Sequence, residues 1–211
     1  MLSAEYTDLL ADCTASLRQR ADLTPVPEVE LDRLSVELGQ WALFGGRPQP
    51  EVLDAYELSA GSSTRYGLTA LWVAYQLTRT ESRHDPHGGA MTTTTHVEPY
   101  QLIRVSVTAD FGHVTMRPET FSDKVAEVFR SREVDFDEHP VFSDRYYVLA
   151  SDETKLRTAA TVELLELLSQ RQMIYEIQGS MLVAAVTQIM NKQDCIALAE
   201  LALAIPGSVA R

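Results

Sequence analysis

The clearest predicted hairpin spans residues 173–189, whose sequence is MIYEIQGSMLVAAVTQI. Two apolar runs flank the dipeptide Gly179-Ser180, and a two-residue connection containing glycine is the commonest turn of a β-hairpin. Residues 193–205 follow with almost uninterrupted apolar character and end at Pro206-Gly207, a helix-stop signal. This end of the chain therefore predicts two antiparallel strands and a final helix.

Two further helices are indicated by apolar residues at helical spacing. Residues 151–170 carry leucines on one face, with Ser151 as the predicted N-cap. Residues 3–20 carry a second apolar face, and residues 23–27 after it contain two prolines and are predicted to be a linker.

Residues 29–44 fit two interpretations. Leu31, Leu34 and Leu38 have helical spacing, whereas Leu34, Val36 and Leu38 alternate as in a strand. Both alternatives stay open at this point.

The middle of the chain alternates between short apolar runs and turn residues. A polar stretch with two glycines and a Thr run, residues 81–95, is predicted to be a mobile hairpin tip, and residues 120–130 a short helix. Strands are predicted over 51–58, 66–79, two within 98–117, 132–137 and 141–150.

Antiparallel strands mixed with helices, without a regular βαβ rhythm, indicate an α+β fold. We predict a curved, mainly antiparallel sheet of about seven strands with helices packed on one face. The N-terminal helix (1–24) either packs on the single domain (25–211) or mediates association. The predicted core comprises Leu71, Val73, Ile103, Val105, Phe142, Tyr146, Val148, Leu164, Leu168, Ile177, Val183 and Leu201.

Composition limits the possible partners. The 211 residues contain 18 Lys+Arg against 30 Asp+Glu, a formal net charge of −12. Nucleic acids and anionic membranes both select clustered basic residues, so neither is an expected partner. The two cysteines, Cys13 and Cys195, form no disulfide or metal motif and are expected to be reduced and buried. With no signal-peptide pattern and no apolar run long enough to span a bilayer, we expect a cytoplasmic protein.

Common catalytic signatures are absent from the sequence. It contains no Walker, dinucleotide-binding, nucleophile-elbow or zinc-protease motif. His84, Asp85, His87 and His96 cluster in the predicted loop, but no second ligand pair accompanies them, so we expect neither a metal nor a cofactor.

Two groups of charged residues are candidate binding sites. On a strand, Glu133, Asp135 and Asp137 would form a ladder of carboxylates able to bind a divalent cation, or simply a solvated face that blocks edge pairing. Arg145 lies among aromatic residues, where it could bind an anion or cover its neighbours.

Asp110, His113 and Arg117 flank a predicted tight turn and are the candidate catalytic residues. A carboxylate beside an imidazole is a common acid–base pair, although the sequence identifies no nucleophile near it.

Three stretches between residues 98 and 205 carry a family resemblance: VTMRPE at 114–119, FSDRYYV at 142–148 and IYEIQG at 174–179. In them the chain resembles a family of uncharacterised bacterial proteins of the actinobacterial type, in which a Phe-polar-polar-Arg-aromatic-x-Val strand precedes a helix and a Gly hairpin. The resemblance implies no activity and no catalytic residue.

The leading hypothesis from sequence is a non-catalytic protein-binding or scaffold domain, acting through a protein partner or as a homo-oligomer. It depends on the missing catalytic signatures and on the apolar last helix. The alternatives are an enzyme with an acid/His site and a small-molecule sensor with a pocket in the curved sheet.

Overall fold

Nine antiparallel strands form one sheet in the computed structural model, which describes residues 4–45, 48–59, 69–83, 92–118 and 132–208. The spatial order is β1-β2-β3-β4-β9-β8-β5-β7-β6. The strands are β1 (Asp22–Pro25), β2 (Glu51–Ser59), β3 (Ala70–Arg83), β4 (Thr92–Ser106), β5 (His113–Pro118), β6 (Arg132–Glu133), β7 (Tyr146–Ala150), β8 (Ile174–Gln178) and β9 (Met181–Ala185).

Six α-helices and one short 3-10 helix (Ala42–Phe44) accompany the sheet within the described ranges. The α-helices are α1 (Ala4–Leu17), α2 (Glu28–Gly39), α3 (Pro140–Ser143), α4 (Glu153–Ala159), α5 (Val162–Ser169) and α6 (Lys192–Ser208). None of these helices combines the length and the hydrophobicity that crossing a membrane requires.

Both faces of the sheet are buried along its middle strands. On β3, Trp72 and Ala74 belong to a core shared with α1, α4, α5 and α6, which we call the first face. Leu71 and Val73 alternate with them and join α2 and the 3-10 helix on the second face. The apolar run of β3 is therefore that of a central strand, between β2 and β4.

The α+β fold class with its curved antiparallel sheet is confirmed, and all twelve predicted core residues are buried. The helices differ from the expectation in one respect, since α2 and the 3-10 helix cover part of the second face. Residues 29–44 were the segment whose helical or extended character the spacing left open. Val36 is 55% exposed while Leu34 and Leu38 are buried, so the helical alternative is correct.

The apolar last helix is buried within its own chain. Cys195, Leu198 and Ala202 of α6 are fully buried between the first face and α1. On α1, Cys13 and Leu17 are fully buried, so the N-terminal helix packs on the domain. The division of the chain at residue 24 stays a prediction.

Both cysteines are free and buried at the α1–α6 contact, as expected, and the Cys195 thiol lies 3.6 Å from the carbonyl oxygen of Cys13. A hydrogen bond with Cys13, together with burial, raises the pKa of Cys195 far above its ordinary value. At neutral pH this thiol is therefore protonated and unreactive.

Several predicted boundaries moved. Residues 23–27 are not only a linker, because residues 23–25 belong to β1 and pair with residues 56–58 of β2. The predicted strand 132–137 is regular only at Arg132–Glu133. The start of the predicted strand 141–150 is α3, which begins at Pro140, a residue well suited to a first helical turn.

The predicted helix 151–170 is two helices. Asp152, rather than Ser151, caps α4 by accepting from the Lys155 amide. Thr161 caps α5 in the same way through the Leu164 amide. The second cap restarts the chain in a new direction after Ala160, where the backbone is extended.

The predicted loop 81–95 is shorter than expected. β3 continues to Arg83 and β4 begins at Thr92, because the β-branched Thr run favours an extended chain. His96 lies on β4 opposite Arg79. Residues 84–91 of the predicted loop, with the candidates His84, Asp85 and His87, lie outside the described residues, and so does the helix predicted at 120–130.

Two glycines with positive φ offer a matched test of backbone strain. Gly112 (φ 71°) precedes β5, and Gly179 (φ 60°) turns the β8–β9 hairpin. A Cβ at Gly112 would lie 3.2 Å from the Ser151 Oγ, whereas at Gly179 the nearest atom is 4.0 Å away. Gly179→Ala is expected to cost about 1–2 kcal/mol for its left-handed backbone alone. Gly112→Ala should lower the unfolding free energy by more, because its Cβ would crowd the Ser151 Oγ, which accepts from the His113 amide. Urea denaturation measures both losses, and equal losses would contradict this prediction.

Candidate functional site

The most unusual polar group among the described residues is Glu176, a carboxylate that is 1% exposed in the middle of β8. Its two neighbours in sequence, Tyr175 and Ile177, are fully buried on the first face. Strand alternation therefore turns Glu176 to the second face, where the 3-10 helix lies.

Four donors satisfy this carboxylate. The Ala42 amide lies 3.0 Å from Oε1 and the Leu43 amide 2.7 Å from Oε2. The Gln178 Nε2 and the His113 Nε2 approach Oε1 at 2.9 and 3.0 Å. The first amides of a helix lack intrahelical acceptors, so the 3-10 helix begins on the carboxylate of Glu176.

The register of two neighbouring strands brings His113 to this carboxylate. His113 pairs with Gln178 across β5 and β8, and Thr115 pairs with Glu176. His113 therefore lies diagonally opposite Glu176 across β5 and β8, at a separation that the long Glu176 side chain can span. Its own side chain is 30% exposed, so the imidazole bridges a buried carboxylate and solvent.

A carboxylate that holds one ring nitrogen fixes the orientation of an imidazole, and this arrangement supports proton transfer in many enzymes. The neighbouring hydroxyl on the same face of β5, that of Thr115, is 7% exposed. The His113–Glu176 pair can therefore bind or move a proton, while the described residues around it supply no solvent-exposed nucleophile.

The three candidate catalytic residues do not form one group. Asp110 accepts from the Lys155 Nζ at 2.6 Å and from the Gly112 amide at 2.9 Å. The bond from Lys155, followed by that from Gly112, lowers the pKa of Asp110. The acid–base pair proposed from sequence is thus not formed, because His113 is held by Glu176. Arg117 lies two residues beyond Thr115 on β5 and pairs with Tyr147 of β7.

The predicted carboxylate ladder is a solvated face. Glu133, Asp135 and Asp137 are exposed, while Val134 and Phe136 between them are buried. Arg157 covers this segment, with its guanidinium 5.3 Å from the Phe136 ring and its Nη2 2.7 Å from the Asp135 carbonyl oxygen. Within the described part of the chain, no group of three or more His, Cys, Asp or Glu is placed to hold a metal ion.

Arg145 has a structural partner. Its Nη1 donates to the carbonyl oxygen of Ser169, the last residue of α5, where helix carbonyls lack intrahelical donors. The neighbouring Tyr146 stacks on Phe142 with ring centroids 5.2 Å apart, and burial raises its pKa. Arg145 therefore ties α3 and β7 to the end of α5.

A small cleft lies between α5 and α6, lined by Leu167, Arg171, Tyr175, Ala197 and Leu201. Its volume is about 190 Å³. Sites for drug-sized molecules are usually about 300–1,000 Å³. The cleft is also between helices, whereas the pocket considered from sequence would lie within the sheet.

The second notable feature is a two-stranded ribbon, formed by residues 77–83 of β3 and 92–98 of β4. Pairing with β2 ends at Gln76, and pairing with β9 begins only at Leu102. Between these points β3 and β4 pair with no other strand among the described residues, and the Met190 amide donates to the carbonyl oxygen of Pro99, just beyond the ribbon. Consecutive residues 78–80 and 93–97 are exposed, so both faces of the ribbon meet solvent.

Scans against protein-family models, curated proteins and solved structures found no match to this chain.

Sequence reasoning singled out His113 but missed Glu176. A signal for it was present, since Glu176 is the one charged residue in the otherwise apolar run Met173–Ile177. Its donors, however, lie 63 or more residues away for His113 and the 3-10 helix, and no local pattern connects them.

Proposed function

We propose that this chain is a non-catalytic protein-binding domain that docks an extended segment onto the ribbon. The docking surface is the β4 edge, defined as the side of residues 92–98 that faces away from β3. The observation that carries the proposal is the length over which this edge is left unpaired among the described residues. Unpaired strand edges bind extended segments by adding a strand to the sheet.

The other edges of the sheet are protected, as edge strands usually are. β1 is only four residues long and contains Asp22 and Pro25, and β6 has two residues. Residues 92–97 contain no proline, no lysine and no carboxylate, but four threonines, a histidine and a valine. The β4 edge is thus the longest outer edge without the usual protection among the described strands.

The ribbon has little to stabilise it without a partner. Of the residues whose exposure is described, only Val97 adds apolar surface between positions 93 and 97. An isolated two-stranded hairpin is marginally stable in water, and a third strand adds main-chain hydrogen bonds along its length. Binding a segment at the β4 edge would therefore stabilise the ribbon as well as capture the partner.

Affinity capture with the purified full chain tests this function. We expect wild-type protein to retain a protein partner in stoichiometric amount, and the variant T93K/T95K to lose it. The matched control is T80K/S82K, because Thr80 and Ser82 lie directly opposite Thr95 and Thr93 on β3. Retention of the same partner by all three proteins, or a wild type that retains neither another protein nor a second copy of its own chain, would contradict the proposal.

A second candidate function is suggested by the 3.0 Å contact between His113 and Glu176. In this second candidate we propose that the chain is an enzyme in which His113 acts as a general base and Glu176 orients it. In a panel of ester, amide and phosphate substrates, His113→Ala should abolish turnover and Glu176→Gln reduce it. Failure of the wild type to turn over any substrate of the panel, or equal turnover by all three proteins, would count against this candidate.

A further inference from the structure

We infer that the occupant of the β4 edge is the β4 edge of a second copy of this chain, so that two ribbons join into one four-stranded ribbon. This inference rests on the proposed function and names its partner. A two-fold axis through Thr94 or Thr95 would make the contact self-complementary, as the interfaces of symmetric dimers are.

The side chains of the edge suit antiparallel self-pairing. About an axis at Thr95, Thr94 faces His96 of the second copy, Thr93 faces Val97, and Glu98 faces Thr92. No two like charges are directly opposed in this arrangement. A Thr–Thr pair directly opposed across antiparallel strands is favourable, and Thr95 would form such a pair with its own copy.

Charge favours contact at the ribbon over contact elsewhere. The chain carries a net charge of −12, so two copies repel each other wherever acidic surfaces meet. The fourteen ribbon residues contain two arginines, Arg79 and Arg83, and two glutamates, Glu81 and Glu98, and are neutral overall. Because the ribbon extends beyond the pairing of β2 and β9, association through it separates the two acidic bodies.

The β4 edge suits this contact better than the β3 edge. Residues 77–83 of β3 carry Arg79, Glu81 and Arg83, and charged residues on an edge strand discourage pairing. Residues 92–97 of β4 carry no carboxylate, lysine or arginine. A segment of a different protein is the competing occupant, and the experiment below separates the two.

Sedimentation equilibrium of the full chain tests the inference. We expect the measured molar mass of the wild-type protein to be twice the chain mass of 23.5 kDa. In T93K/T95K, about an axis at Thr95, the lysine at position 95 would directly face its own copy, and the dimer dissociation constant should rise about tenfold or more. In T80K/S82K the same charges lie one strand farther from the second copy, and the constant should change about threefold or less.

Circular dichroism and thermal unfolding would establish that both variants keep the wild-type fold. Added salt should tighten the wild-type dimer, because it screens repulsion between the acidic bodies. A wild-type chain that stays monomeric at concentrations of about 1 mM would overturn the inference, as would equal weakening by both lysine pairs. A monomeric chain that still captures another protein through the β4 edge would overturn the inference alone. A monomeric chain that captures no other protein would overturn the proposed function as well.

Discussion

Replacing Glu176 by alanine is expected to cost about 3–5 kcal/mol of unfolding free energy, the usual effect of removing one partner from a buried charged network. The carboxylate is 1% exposed and satisfies the amides of Ala42 and Leu43 together with Gln178 and His113. Without it, the two amides and the 3-10 helix they begin lose their acceptor. A buried donor left without a partner costs about 1–3 kcal/mol by itself.

Urea unfolding followed by circular dichroism would measure this loss. Glu176→Gln should be less destabilising, since its amide oxygen can still accept one of the bonds. Gln178→Ala is the matched control, because it removes a single donor whose residue is exposed. If Glu176→Ala lay within about 1 kcal/mol of the control, the carboxylate would not be anchoring the 3-10 helix.

Trp72→Ala should destabilise the fold to a similar extent, by about 3–5 kcal/mol, through the cavity it leaves on the first face. Trp72 is fully buried, and its ring centroid lies 6.3 Å from that of Tyr56. Its Nε1 also donates to the Gln101 Oε1 at 3.3 Å, and Gln101 is itself fully buried. Truncation therefore removes apolar volume and a buried hydrogen bond at the same position.

The hydrogen bond and the packing can be separated with Trp72→Phe. Phenylalanine keeps most of the apolar contact but has no donor for Gln101, so we expect a smaller loss, of about 1–3 kcal/mol. Both variants would be unfolded with urea and followed by circular dichroism, because only two tryptophans are present in the chain. Equal losses for the alanine and phenylalanine variants would mean that the cavity contributes little.

The parts of the fold that depend on local pattern could be predicted from sequence. The turn Gly179-Ser180 joins β8 and β9 as expected, and Phe142 and Tyr146 are buried even though Phe142 belongs to a short helix. Burial was predictable because apolar side chains leave water whichever backbone conformation carries them. The secondary structure of residues 29–44 was not predictable, because the spacing of their apolar residues fits both a helix and a strand.

Contacts between distant segments account for most of what the sequence could not indicate. His113 was recognised as a candidate, but its carboxylate partner is Glu176 rather than Asp110, three residues away in sequence. That choice depends on the alignment of β5 with β8, which pairing across the whole sheet determines. The ribbon was likewise hidden, since its exposure follows from where β2 and β9 stop pairing.

The position of β9 has a consequence for synthesis on the ribosome. Strands β1 to β4 are contiguous in the sheet, and β5 to β8 lie together on the other side, joined to them only where β9 meets β4 among the described strands. Residues 181–185, which make this seam, are synthesised after all eight other described strands. Until then the nascent chain would hold two half-sheets, whose β4 and β8 edges are not yet paired with β9. A ribosome stalled before residue 181 would therefore carry two unjoined halves, and the five residues of β9 decide whether they become one sheet.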